Sequence, residues 1–195
     1  MKVLKEDKII LGIDPGTNIM GYGLIHCKDN KISLIALGEI NLSKYLNHAL
    51  KLKAIFEKTI GIIDQYKPDE LAIEAPFFGK NVQSMLKLGR AQGVAIAAAL
   101  YKNMPICEYS PKKIKLAITG NGNATKEQVA EMLYTILKEK FTFNHLDATD
   151  GLAVAVCHYF QKNVPKSDAP KTSKGKKTAS NWSSFITQNP ERIVK

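Results

Sequence analysis

The strongest constraint on the fold of this chain is where its four conspicuous acids lie. Asp14 in GIDPGT, Glu74 in LAIEAPFFGKN, and Asp147 and Asp150 in HLDATDGLAVAVCH each sit where an apolar strand ends or an apolar helix begins. A carboxylate in such a place does not serve the core, yet the backbone beside it is held rigidly. Each has an ordinary reading by itself. Asp-Pro-Gly is common turn chemistry, Glu74 suits a solvent-facing strand end, and Asp147 and Asp150 suit the positive N-terminal end of a helix dipole. Spaced i and i+3 in the first turn of a helix, those last two share one face. If the first and fourth strands pair in a mixed sheet and the last helix packs beside them, all four acids reach one edge. That convergence is what a magnesium site needs. Magnesium prefers hard oxygen ligands, and a pair of such ions can activate water and steady the leaving oxygen of a phosphodiester.

Periodicity along the chain alternates between strand and helix, an α/β pattern. Residues 8–14, 20–27 and 32–39 read as three strands joined by short Gly- and Asn-containing turns, an antiparallel meander. Leu46, Ala49, Leu52, Phe56, Ile60 and Ile63 recur at helical spacing and predict a helix over 43–66. A short buried strand follows at 70–74, then a long helix at 82–101 that is apolar on most faces and rich in small residues. A last strand spans 105–109, and Ser110-Pro111 opens a short helix. Thr125 with Gln128 forms a capping box for the helix that runs on to Lys138. The final helix begins near Leu146. Past about residue 163 the apolar period stops, and residues 166–195 hold seven Lys or Arg against two acids. The expected organisation is a folded domain over 1–162 and a basic tail over 163–195, disordered when free.

The charge balance narrows the partners. With 28 basic and 18 acidic residues the chain carries a net charge of +10, which suits a polyanion. An anionic membrane surface is the weaker reading, since the longest apolar run, 93–100, is far short of the roughly 20 residues a span requires. The N-terminal MKVLKEDKII has too short an apolar stretch for a signal peptide. Cys27, Cys107 and Cys157 lie in largely apolar sequence without metal-ligand spacing, as expected of buried, reduced thiols in a cytoplasmic protein.

GIDPGTNIMGYGLI, LAIEAPFFGKNVQSMLKLGRAQGVA, the NATKEQV segment and LDATDGLAVAVCH together resemble the RuvC Holliday-junction resolvases, over roughly residues 8–161. The Asp-x-Gly-Thr element is shared with sugar-kinase and actin-like ATPases, whereas IExxFxxKN followed by LKLGxAxG is specific. Gly151 stands where the family's DxxDALA motif has its first Ala. The resemblance implies an RNase H-like fold, with a five-stranded mixed sheet flanked by helices. It also implies a homodimer that makes paired, symmetric nicks in four-way DNA junctions with Mg²⁺, two ions per site, Mn²⁺ substituting. The expected products carry 5′-phosphate and 3′-hydroxyl ends, and the expected further partner is the RuvA-RuvB branch-migration complex.

Carried over by position, Asp14, Glu74, Asp147 and Asp150 would be the metal-binding catalytic acids. Lys115 and Lys126 match lysines used near the scissile phosphate, and Lys80 and Asn81 fall in a matched motif as DNA-backbone contacts. Phe77 matches an aromatic that stacks on bases at the crossover; of the adjacent rings Phe77 and Phe78, one would be exposed and the other would pack on the domain. His158 lies three helical turns beyond Asp147 and reads as packing or distant support. Other readings are a YqgF-type RNA-processing nuclease, a non-catalytic DNA-binding module, and an ATPase. The ATPase would need a second lobe for which the chain is too short.

Overall fold

The computed structural model describes residues 7–76, 81–138 and 146–163. Five strands form one sheet: β1 (Asp7–Asp14), β2 (Ile19–Lys28), β3 (Lys31–Asn41), β4 (Glu70–Glu74) and β5 (Ile106–Tyr109). Their order is β3-β2-β1-β4-β5, with β1–β2 and β2–β3 antiparallel and β1–β4 and β4–β5 parallel. This is the mixed, RNase H-like arrangement expected. The antiparallel pairs need only tight turns, and Asp29 and Asn30 take left-handed backbone to make the one between β2 and β3. The parallel pairs need crossovers, supplied by α1 (His48–Tyr66) and α2 (Val82–Tyr101).

Alternation along the central strands divides the core in two. Leu11, Ile13, Leu71 and Ile73 pack under α1 and α2 with Ile55, Ile63, Ala91 and Ala95. Ile10 and Ala72 face the other side, covered by α3 (Pro111–Thr119), α4 (Lys126–Leu137) and α5 (Leu146–Asn163). Residues of even number on β1 and β4 therefore point toward α5, and those of odd number toward α1 and α2. Asp14, Glu70 and Glu74 fall on the α5 face.

α5 lies on the sheet almost backbone to backbone. A methyl group at Gly23 would sit 2.5 Å from Cα of Leu152, and one at Gly151 would sit 2.5 Å from Cα of Tyr22. Gly151 is thus more than a small-for-small replacement, because an alanine here would push the helix off β2. The close approach sets the N-terminal end of α5 against the end of β1.

The helix starts follow their caps. Thr125 Oγ1 accepts from Gln128 N–H at 3.3 Å while Gln128 Oε1 accepts from Thr125 N–H at 3.0 Å, the reciprocal box expected from the sequence. α1 begins five residues later than its apolar spacing predicts. Asn47 Oδ1 accepts from Leu50 N–H and stops the helix there, leaving Leu46 96% exposed. The buried stripe of α1 is Ala54, Ile55, Thr59, Ile62 and Ile63, so Leu52, Phe56 and Ile60 line its edge instead. Cys27 and Cys157 are buried and Cys107 half-buried, all as free thiols. Among the described residues no helix is long and apolar enough to cross a membrane.

Candidate active site

Asp14 and Glu74 end neighbouring parallel strands at the same level, because Ile13 pairs with Ile73. Asp14 is also cross-strand from Gly21, and the backbone of Asp147 lies directly over that glycine. The first turn of α5 thereby brings Asp147 to the strand ends. α5 opens at Leu146 as expected, with Asp147 in its first turn and Asp150, three residues on, just beyond it. Lys126 enters from the first position of α4 and Lys115 from α3. Asp14, Glu74, Asp150, Lys115 and Lys126 line one cleft of about 650 Å³, whose walls also include Leu88, Lys112 and Asn123.

Burial and neighbouring acids disfavour the carboxylate charges of the cleft, although Lys112, Lys115 and Lys126 line it too. Burial, then the charges of Asp150 and Asp147, push the Asp14 carboxyl up to about 7, with Lys126 opposing. Burial, then Asp14 and Asp150, push Glu74 up to about 8 against the partial relief of Lys126 and Lys115. Asp150 is raised by burial, and the Lys126 hydrogen bond works the other way. Lys126 Nζ stands 3.2 Å from Asp147 Oδ1 and donates a hydrogen bond to Asp150 Oδ2. Burial disfavours that ammonium, but Asp150 and then Asp147 outweigh it and hold its pKa above the ordinary range. Carboxylates raised by burial and by neighbouring acids in one cleft, with one ammonium bridging two of the acids, form an oxygen-only donor set that a divalent cation would relieve. Among the described residues no three His, Cys, Asp or Glu are yet gathered closely enough to coordinate an ion. The donor chemistry fits a hard cation.

The other sequence candidates divide. Asn81 is the N-cap of α2, its Oδ1 accepting from Ser84 N–H at 3.1 Å, which leaves its amide N–H₂ for other contacts. Phe77, Phe78 and Lys80 lie outside the described residues. His158 is fully buried and far along α5 from the acids, hydrogen-bonded to Tyr109 and Glu70 in the supporting place expected of it. Gln92 carries a role the sequence reading missed. Its Nε2 donates to the Glu74 carbonyl oxygen at 3.3 Å and to Glu108 Oε2 at 2.7 Å, tying α2 to the strand end that carries the acid. A polar residue among Ala91, Ala95, Ala98 and Ala99 on a buried helix face was the signal for it.

The family model for the crossover junction endodeoxyribonuclease RuvC matches residues 10–158. The crossover junction endodeoxyribonuclease RuvC of Christiangramia forsetii is 60% identical over 191 residues, covering 98% of this chain and 95% of that protein. The RuvC of Porphyromonas gingivalis is 54% identical over 190 residues, covering 96% of this chain and 98% of its own length. Among solved structures, T. thermophilus RuvC in complex with a Holliday junction substrate matches with a TM-score of 0.72 at 30% identity. That match covers 80% of this chain and 94% of the other.

Proposed function

The chain belongs to the RuvC family of crossover junction endodeoxyribonucleases and is a Holliday junction resolvase, and we propose that Asp14, Glu74, Asp147 and Asp150 are the groups with which it cuts. Family membership sets aside the RNA-processing, binding-only and ATPase readings. The observation that carries the residue assignment is the gathering of Asp14, Glu74 and Asp150 in one cleft, where burial first and neighbouring acids second raise all three, with Asp147 sharing the Lys126 ammonium with Asp150. Carboxylates clustered and partly buried in this way are costly to ionise unless cations enter. The four acids would hold two divalent cations, Mg²⁺ with Mn²⁺ as a substitute. The chemistry such ions supply when bound is a deprotonated water and a neutralised leaving oxygen.

The chain's own residues do the rest. Lys115 and Lys126 face the same cleft and offer ammonium groups to the scissile phosphate. Gln92 holds the strand end of Glu74 in place. Asn81, Lys80 and Phe77 follow Glu74 in sequence, the first two as backbone contacts and the ring as the base-stacking wedge. Residues 1–162 form the nuclease domain, in accord with the division of the chain between Asn163 and Val164. The basic residues beyond add phosphate contacts that steepen the salt dependence of binding. Paired nicks on opposed strands require two such sites, and so a C2 homodimer. α2 offers exposed Val82, Leu86, Leu100 and Tyr101 for that contact. RuvA-RuvB and a cytoplasmic setting accompany this role.

The test compares cleavage of a four-way junction, a linear duplex and a structured RNA with Mg²⁺, using the unaltered protein and Asp14→Asn. Junction-selective nicking with 5′-phosphate ends, lost in the variant while junction binding persists, is the expected result. Nicking by Asp14→Asn at the unaltered rate removes that residue from the site.

A further inference from the structure

Two of the four acids already hold a cation, and it is one the chain brings itself. The Lys126 ammonium bridges Asp147 and Asp150. Its anchorage does not depend on them. The Thr125–Gln128 capping box fixes the start of α4 through backbone groups of its own. Lys126 is 49% exposed while Asp150 is 16% exposed, so the ammonium reaches in from the solvent side and has water to return to. The lysine also lines the cleft that a phosphate must enter. A divalent ion and an ammonium cannot share the oxygens of Asp147 and Asp150, because their like charges repel at that range.

We propose that Lys126 is a placeholder cation: its ammonium occupies the Asp147–Asp150 position in the metal-free protein, is displaced when a divalent ion arrives, and swings to the phosphate of bound DNA. This rests on the reading of Asp147 and Asp150 as metal ligands. Loading is then an exchange of a single for a double positive charge. The released ammonium finds its best new partner when DNA is present, so metal and junction strengthen each other's binding. The lysine has two successive partners, the carboxylates before loading and the phosphate after it.

Two measurements on the full chain test this without reference to cleavage. The first is the ¹⁵N signal of the Lys126 side chain, identified by its loss in Lys126→Met, followed as Mg²⁺ is added. It should begin as a hydrogen-bonded ammonium and move to the position of a solvated lysine as the metal saturates. The second is calorimetric titration with Mn²⁺ of the unaltered protein, Lys126→Met and Asp150→Asn. Lys126→Met should bind the ion roughly tenfold more tightly, as removal of a competing charge at short range allows. Removing any nearby positive charge raises metal affinity, so the ¹⁵N signal separates the two roles: a lysine acting only as a structural tie keeps its hydrogen-bonded signal as the metal saturates. A Lys126 signal unmoved by a metal that does bind, with equal affinities for the unaltered protein and Lys126→Met, overturns the placeholder and leaves the metal site standing. Binding unaffected by Asp150→Asn overturns the metal-ligand reading and the placeholder with it. If Lys126→Met fails to fold, the charge-retaining Lys126→Arg identifies the signal by its loss, and the Mg²⁺ titration of the unaltered protein decides.

Discussion

Glu70 and Glu74 begin and end the same strand and point to the same face of the sheet, under the same helix, yet their surroundings oppose each other. Glu70 receives Lys162 Nζ at 2.5 Å, His158 Nε2 at 2.6 Å and Lys8 Nζ at 3.5 Å. Burial works against its charge, but the Lys162 and His158 hydrogen bonds outweigh it and hold the carboxyl down at about 2. Glu74 is buried among acids and is pushed up to about 8. α5 makes the difference, since it carries Asp147 and Asp150 at the end beside Glu74 and His158 and Lys162 at the end beside Glu70. One carboxylate is neutralised by the chain and fastens the helix to the sheet. The other is crowded by Asp14 and Asp150, and Lys126 and Lys115 relieve it only in part.

The largest effects come from neutralising the two glutamates in turn. Glu74→Gln should lower single-turnover junction cleavage by at least about a thousandfold, some 4 kcal/mol of transition-state stabilisation. Its metal-free stability should hold or rise, because a repelled, buried charge is gone. Glu70→Gln should keep cleavage within a few-fold but cost about 2 kcal/mol in denaturant unfolding, since His158 and Lys162 lose their charged acceptor. Should Glu74→Gln be the variant that unfolds readily and Glu70→Gln the one that stops cutting, the roles of the two ends are reversed.

Next in size is the pH dependence of stability without metal, where the two ends act in separate windows. Asp14 and Glu74 have folded pKa values of about 7 and about 8, above their ordinary 3.8 and 4.5. Between those limits the folded state holds more protons than the unfolded chain, so stability falls as pH rises. Glu70 has the opposite sign, because its folded pKa lies below the ordinary 4.5. Its contribution is complete above that value and is lost as pH falls toward about 2. The metal-free melting temperature should therefore drop by several degrees from about pH 5 to pH 8, and Mg²⁺ should abolish the decline. Glu74→Gln should flatten the same limb and leave the acid limb unchanged. A decline that persists in Glu74→Gln with Asp14→Asn added would show that other groups cause it.

The two ends also differ in how far the sequence discloses them. Asp14 and Glu74 were legible because a carboxylate closing an apolar strand conflicts with its local pattern, and the specific motif around Glu74 gave the conflict a meaning. Glu70 closes no run, and its partners His158 and Lys162 are 88 and 92 residues away. No local period connects such positions. The strands were legible for the same local reason, whereas the start of α1 was not, because Leu46 fitted the helical period while Asn47 offered the stronger cap. The approach of α5 to β2 depends on Gly23 meeting Leu152 and Gly151 meeting Tyr22 across the layer, which only the packed structure reveals.

The smallest expected effect separates charge from packing at the neutralised end. Lys162 is 39% exposed, and Glu70 keeps His158 and Lys8 when the lysine is removed. Lys162→Met preserves the apolar stem and deletes only the ammonium, so it should cost about 0.5–1 kcal/mol near pH 7, as for an exposed pair in a small network. Because the ammonium helps depress the Glu70 pKa, its deletion should raise that pKa and move the acid limb of the stability curve upward. The difference between the two proteins should accordingly narrow below the ordinary glutamate pKa of 4.5 and vanish only at a pH well below the folded value of about 2, where Glu70 is protonated in both. Melting curves across that range decide it. An equal deficit at every pH would mean that Lys162 serves through packing at the end of α5. The low pKa of Glu70 would then rest on His158 and Lys8 alone.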